Sequence, residues 1–329
     1  MTSLFLVRNL ISIKAADAIS DKEKDKKIYI LPNIEPSSVE IMKSNINDSI
    51  LTKEIIPLKL FGNNLLLNLL SIIRYKRQVK SFFKENEITT LYATNPLHYD
   101  SYIYYLIAKS TNIKVFFYEE GTCFYRLNDS EQYLAKSVLQ KIKQNINNII
   151  GLYQGYGKKP NGWYASLPFS ENSVKIVLKY NYHDELKNIK KIFLSRPASE
   201  DFSSVKIDDE INAILKFNLY VINEPGDLYI KFHPRELREK RIKILSKLKA
   251  LGINVIELEV KCSSEDVVYS METGVVCGYE TATLAYAKSI NSYVKIYSVA
   301  EHIAEKDRTN TIKGFIGFYK KKFPYIEFI

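Results

Sequence analysis

Short apolar runs alternate along the chain with longer amphipathic ones. Ser3–Val7, Lys27–Leu31, Thr89–Tyr92 and Lys114–Tyr118 read as buried strands, and Glu54–Pro57 as an edge strand. Helical patterns separate them: up to Ile19, over Ser37–Ser44, over the Leu- and Ile-dense Asn63–Phe83, over Asp100–Ser110 and over Glu131–Ile149. The stretch GLYQGYGKKPNGWYASLPFSENS breaks this rhythm. It holds four of the chain's twelve glycines, with Pro, Asn and Ser between them, and reads as a connection. A second series follows: strands at Val174–Leu178, Lys191–Leu194, Leu228–Lys231, Asn254–Ile256, Gly274–Cys277 and Tyr293–Tyr297. Helices at Asp208–Phe217, Glu236–Leu251, Glu265–Ser270 and from Thr281 lie among them.

Strands separated by helices of this length predict parallel sheets with helices on both faces. Two such series predict an α/β chain of two Rossmann-like domains facing a cleft, the GT-B arrangement. The expected boundaries are 1–155 for the first domain, 156–190 for a linker region, 191–310 for the second domain and 311–329 for a C-terminal segment. A length of 329 residues fits two domains of ordinary size.

Composition and charge narrow the partners. Lys and Arg total 47 against 37 Asp and Glu, a net charge of +10, which favours acidic partners. The excess is shared, +5 in residues 1–155 and +5 in 156–329, so there is no basic arm for nucleic acid. Three cysteines without CxxC pairing exclude a disulfide framework or a Cys-rich zinc site. The apolar start is interrupted by Arg8, Lys14 and Asp17 and reads as a strand and helix, not a signal peptide.

Four candidate sites follow predicted strands, where ligands collect in open α/β sheets. In Glu119-Glu120-Gly121, two carboxylates follow the apolar strand KVFFY, and Gly121 lets backbone approach a ligand. Partial desolvation is expected to raise such a carboxylate towards general-base range; an acidic helix start or a metal-ligand pair is the alternative. In Tyr229-Ile230-Lys231-Phe232-His233-Pro234-Arg235-Glu236, the proline suits a first helical turn. His233 would then stand at a helix N-terminus beside two cations, an anion site with a proton donor; a histidine capping its own helix is the alternative. Cys277-Gly278-Tyr279-Glu280-Thr281-Ala282-Thr283 offers hydroxyls for phosphate, or simple helix caps at Thr281 or Thr283. Glu265 in Ser263-Ser264-Glu265-Asp266 suits a ribose diol, or the acidic first turn of a short helix. No GxxxxGK[ST] loop, GxGxxG turn, DxD pair, HExxH or His cluster occurs.

The ordered set of an acid-acid-Gly motif, an HP motif and a hydroxyl-bearing motif on two Rossmann-like halves resembles the bacterial sialyltransferases. The layout is most similar to glycosyltransferase family 52, the lipooligosaccharide and capsule sialyltransferases, and next to the bacterial polysialyltransferases, over roughly Ser3 to Tyr297. The resemblance implies a metal-independent inverting transfer of sialic acid from CMP-sialic acid, with no cofactor, to a terminal sugar such as galactose. Glu119 would be the general base. His233 would stabilise or protonate the leaving phosphate, with Lys231 nearby. Glu265 would hold the ribose, and Thr283 would bind phosphate. Ala282 occupies the first position of the family's hydroxyl pair; the lost hydroxyl is worth ~1 kcal/mol unless Thr281 substitutes. Ser195 and Arg196 lie where the family's second domain turns towards the nucleotide. The resemblance also implies a bacterial cytoplasmic enzyme, peripheral at the membrane, and is compatible with a homodimer.

Two rivals stay open. One keeps the fold and changes the donor to another sugar or a glycerophosphate. The other is a non-enzymatic protein that binds nucleic acid or a membrane surface through charge. The tail FIGFYKKKFPYIEFI either packs on the body or anchors to an anionic membrane, with Lys320–Lys322 on headgroups.

Overall fold

A computed structural model describes residues 1–21, 25–31, 39, 42–46, 50–53, 58, 65–94, 99–126, 160–169, 173–260 and 262–329. The chain divides into two units, Met1–Lys179 and Tyr180–Ile329. The expected helices at 37–44 and 131–149 and the edge strand at 54–57 fall wholly or largely outside the described residues.

The first unit carries strands β1 (Thr2–Leu6), β2 (Lys26–Ile30), β3 (Leu51–Lys53), β4 (Ile88–Ala93), β5 (Lys114–Tyr118), β6 (Gly162–Ala165) and β7 (Ser173–Lys175). They form one parallel sheet in the order β3-β2-β1-β4-β5-β6-β7. All five residues of β1 are buried, as expected where helices cover both faces of a parallel sheet. Its core is aromatic: Phe5 stacks on Tyr92 with ring centroids 4.4 Å apart, and the Tyr118 hydroxyl donates to the Leu6 carbonyl at 2.7 Å.

The second unit carries β8 (Lys191–Leu194), β9 (Leu228–Lys231), β10 (Val255–Glu257), β11 (Gly274–Gly278), β12 (Val294–Ser298) and β13 (Glu327–Phe328). Their order is β10-β9-β8-β11-β12-β13, again all parallel. In both sheets the chain winds outwards from the first strand in one direction, then returns and winds in the other. Each sheet therefore has a topological switch point, between β1 and β4 and between β8 and β11, where such folds receive ligands.

Two boundaries differ from expectation. The stretch 156–190, expected as a linker, supplies β6 and β7 to the first sheet, and the division falls after Lys179. Its turn-forming residues flank a short apolar run, Trp163-Tyr164-Ala165, whose pairing with β5 extends the sheet. The C-terminal segment belongs to the second unit. Ile312, Ile316, Phe318, Tyr319, Phe323 and Ile326 are buried, and Phe328 pairs with Ser298 of β12. The tail's apolar groups are thus packed inside, which removes them from an interfacial anchor; Lys320 stays exposed and pairs with Glu301. Among the described residues no helix is long and apolar enough to cross a membrane.

Candidate active site

In the first unit, the residues after β1, β5 and β6 are tied together at the carboxyl edge of the sheet. Asn9, which caps the helix Leu10–Ser20, donates its side-chain amide to the Glu120 carbonyl at 2.7 Å. Glu119 follows β5 and is fully buried. Its carboxylate accepts a short hydrogen bond from the Tyr125 hydroxyl and another from the Ser166 hydroxyl at 3.0 Å. Tyr125 in turn accepts from the Leu167 amide at 3.0 Å. Burial, then the charge of Glu119, pushes the Tyr125 phenol far up, so it stays protonated and donates. Gly121 has φ 128° and ψ −167°, a region open essentially only to glycine. That is the physical reason for glycine after the two acids: it turns the chain from β5 into the short helix Thr122–Tyr125, which delivers Tyr125 back to Glu119.

In the second unit, Leu194, Lys231 and Gly278 lie side by side at the ends of β8, β9 and β11. A Cβ on Gly278 would sit 2.9 Å from the Leu194 carbonyl oxygen, so glycine permits the two turns at this switch point to approach. Arg196 of the first turn forms an ion pair with the buried Glu280 of the second. Arg196 also pairs with Asp201 at 2.9 Å, and Arg235 reaches the same carboxylate at 3.1 and 3.3 Å. Partial burial works against the charge on Asp201, but these two guanidiniums outweigh it and hold its carboxyl below the usual range.

His233 follows β9 on a turn closed by the Glu236 amide, which donates to the His233 carbonyl at 2.9 Å. The helix begins only at Arg238, so His233 precedes it by a turn and does not stand at its N-terminus as expected. Proline at 234 starts the turn, and Leu237 caps the helix in extended backbone. The residue is partly exposed, and the imidazole Nδ1 accepts from the Arg235 amide at 3.2 Å. Displacement of water by the surrounding protein, then the charges of Arg235 and Arg196, lowers its pKa to about 4. At neutral pH His233 is therefore an uncharged ring carrying its proton on Nε2: a hydrogen-bond donor rather than a cation.

Lys231 points elsewhere. Its ammonium donates to the Val260 carbonyl at 3.1 Å, and burial lowers its pKa against the opposing pull of Cys262, Glu265 and Asp266. Glu265, also buried, accepts from the Thr283 hydroxyl at 2.7 Å. Thr281 caps the helix Ala282–Ile290 by accepting from the Thr283 amide at 3.1 Å. The helix-cap alternative thus holds for Thr281, and the expected ribose and phosphate residues Glu265 and Thr283 are partners of each other.

The fold brings Ser195, Arg196 and His233 into one cluster and Lys231, Glu265, Thr281 and Thr283 into a second. Glu119 and Gly121 belong to the other unit. Among the described residues no group of three or more His, Cys, Asp or Glu is arranged to hold a metal ion. Sequence reasoning missed Tyr125, Ser166 and Asp201, and gave no role to Glu236 and Glu280 although both lie in motifs it singled out. Ser166 follows a strand, the same signal that flagged Glu119, but the surrounding Gly and Pro hid that strand.

Two parallel α/β units with strand orders of this kind define the GT-B glycosyltransferase fold. Solved structures share it over nearly the whole chain. MurG of Acinetobacter baumannii is 8% identical with TM-score 0.52, covering 100% of this chain and 85% of that one. A UDP-glucosyltransferase from Polygonum tinctorium is 9% identical with TM-score 0.60, covering 99% and 84%. The UDP-GlcNAc 2-epimerase of Methanocaldococcus jannaschii is 10% identical with TM-score 0.54, covering 100% and 89%. At such identities the likeness is one of fold alone. The model of the alpha-2,8-polysialyltransferase family matches residues 3–300, and the chain belongs to that family. It is a glycosyltransferase of the sialyltransferase type. The family is the one the sequence resemblance placed second; family 52, placed first, is not the one matched. No curated protein sequence matches the chain.

Proposed function

We propose that the chain is an inverting sialyltransferase that moves sialic acid from CMP-sialic acid to the end of a glycan without a metal ion. The family match over residues 3–300 carries this reading. The cluster around His233 supports it chemically. An uncharged Nε2–H donor beside Arg196 and Arg235 suits a phosphate that gains charge as the sugar leaves. CMP is a nucleoside monophosphate and carries less charge than a nucleoside diphosphate, so side-chain donors can take the place of a metal.

In this mechanism the acceptor hydroxyl oxygen attacks the anomeric carbon of the sialyl group. The bond from that carbon to the phosphate oxygen breaks, and its electron pair leaves with CMP. The acceptor proton passes to Glu119, whose buried carboxylate is oriented by hydroxyl donors from Tyr125 and Ser166. His233 and the guanidiniums meet the developing phosphate charge, and Glu265 with Thr283 is assigned to the nucleoside.

The family description points to a sialic acid-terminated acceptor; the sequence resemblance pointed to galactose. The test is a transfer assay with CMP-sialic acid and both acceptors, with and without a chelator, and UDP- and CDP-linked donors alongside. Chelator-insensitive transfer from CMP-sialic acid to the sialylated acceptor supports the reading. Transfer only to galactose moves the acceptor assignment, and turnover only with another donor overturns it.

A further inference from the structure

Glu236 ends the motif that carries His233 and has no role there, yet it is the point on which the turns after β8 and β9 converge. It is 3% exposed. One carboxylate oxygen accepts from the Ser195 hydroxyl at 2.8 Å, and the other accepts from the His233 amide at 2.6 Å. Lys240, one helical turn on and also 3% exposed, pairs with Glu236 at 2.9 Å, Glu210 at 2.7 Å and Glu200 at 2.8 Å. The same ammonium reaches the Arg196 carbonyl at 3.3 Å. Burial penalises its charge, but Glu236 and Glu210 outweigh that penalty and raise its pKa. Arg241 then fixes the far side of the histidine turn, donating to the carbonyls of Glu236 at 3.1 Å and His233 at 3.2 Å.

A buried lysine shared by three carboxylates is a poor device for stability alone, because desolvation offsets most of what the ion pairs gain. What it does supply is geometry. The backbone of Arg196 and the backbone of His233 are held by one Lys240–Glu236 unit, so the two turns that carry the guanidinium and the imidazole are tied to each other. With the His233 amide taken by Glu236 and Nδ1 taken by Arg235, the ring is left in the Nε2–H form.

We propose that Glu236, anchored by Lys240, is a positioning residue that locks the Ser195–Arg196 turn to the His233–Pro234 turn and so presents Arg196 and His233 Nε2–H in one register to the donor phosphate. This rests on the reading of that cluster as the phosphate site. Glu236 itself touches no substrate; it acts through His233 and Arg196.

The test uses the full chain carrying Glu236→Gln. An amide oxygen still accepts one hydrogen bond, but its NH2 cannot accept the second, so one turn is released. NMR of isotopically labelled histidine rings, with His233 assigned from a His233→Gln spectrum, reads the tautomer without any ligand. The expected result is loss of the single Nε2–H form in Glu236→Gln, with CMP binding weakened about tenfold and kcat for transfer reduced about a hundredfold. Leu248→Ala, a core change in the same helix, is expected to lower Tm without altering the tautomer or CMP affinity. If Glu236→Gln does not fold, Glu236→Asp keeps the charge beside Lys240 but is one methylene too short to reach both turns, and the same shifts are expected. An unchanged His233 tautomer with unchanged CMP affinity in the folded variant overturns the proposal. Failure of the wild-type chain to bind CMP or transfer sialic acid overturns the functional reading instead, and the ligand-free tautomer still decides the role of Glu236.

Discussion

The two units share a winding order and differ in what they place at the carboxyl edge. In the first, the Glu119 carboxylate is buried and met by hydroxyl donors from Tyr125 and Ser166. In the second, guanidiniums and carboxylates interlock around an uncharged imidazole: Arg196 with Glu280 and Asp201, Arg235 with Asp201. The same topology therefore carries two different sets of groups. In the proposed mechanism the buried carboxylate takes a proton, whereas the guanidiniums and a neutral N–H donor receive an anion. The sheet supplies the position, and a few residues past each strand supply the groups.

The sharpest way to break this contrast is Glu119→Gln. Loss of a general base is expected to cut kcat by about 10³-fold, with CMP affinity unchanged by calorimetry because CMP is assigned to the other unit; retained turnover removes Glu119 from the mechanism. His233→Ala deletes one donor to the leaving phosphate and is expected to cost about 10²-fold in kcat. Unlike Glu119→Gln, it should weaken CMP binding as well.

Two smaller effects probe the scaffolding of each unit. Gly121→Ala forces a side chain into φ 128° and is expected to cost about 1–3 kcal/mol in chemical denaturation. Thr283→Val withdraws the hydroxyl from the buried Glu265 and is expected to cost about 1 kcal/mol.

The mildest test is pH. His233 has a folded-state pKa of about 4, below the usual value near 6.5. The unfolded chain binds the extra proton between these values, so this contribution to stability is present above about 6.5 and is lost as pH falls towards 4. Wild type should lose thermal stability relative to His233→Gln as pH falls through that window; parallel curves contradict the assignment.

Much of the scaffold was legible in the residues. Lys114–Tyr118, Lys191–Leu194 and Leu228–Lys231 are strands at the expected limits, because three or four consecutive apolar residues bounded by charged or turn-forming ones admit little else. Gly162–Ala165 escaped notice because its pairing partner, β5, lies far away in sequence and only that pairing makes it a strand. The helix after His233 was placed too early, since proline at 234 is compatible with a helical first turn and with the free-standing turn that forms. The lowered pKa of His233 was not legible for a related reason: its largest cause is burial by the surrounding protein, and of the two cations that follow, Arg235 is a sequence neighbour but Arg196 arrives from a different strand end.

What the sequence by itself determined is the α/β alternation, the duplication into two series and the strand-end location of Glu119, Ser195, Arg196, His233 and Thr283. These follow from local periodicity and from the rule that loops at strand ends carry function. What only the tertiary structure decided is which of those residues act together. Thr283 answers to Glu265, Glu119 to Tyr125 and Ser166, and His233 with Arg196 to the Glu236–Lys240 pair. Each of these pairings is made by groups a few ångströms apart, most of them brought together by neighbouring strands rather than by neighbouring positions. Hydrogen bonding and desolvation depend on those distances, and a linear spacing does not contain them.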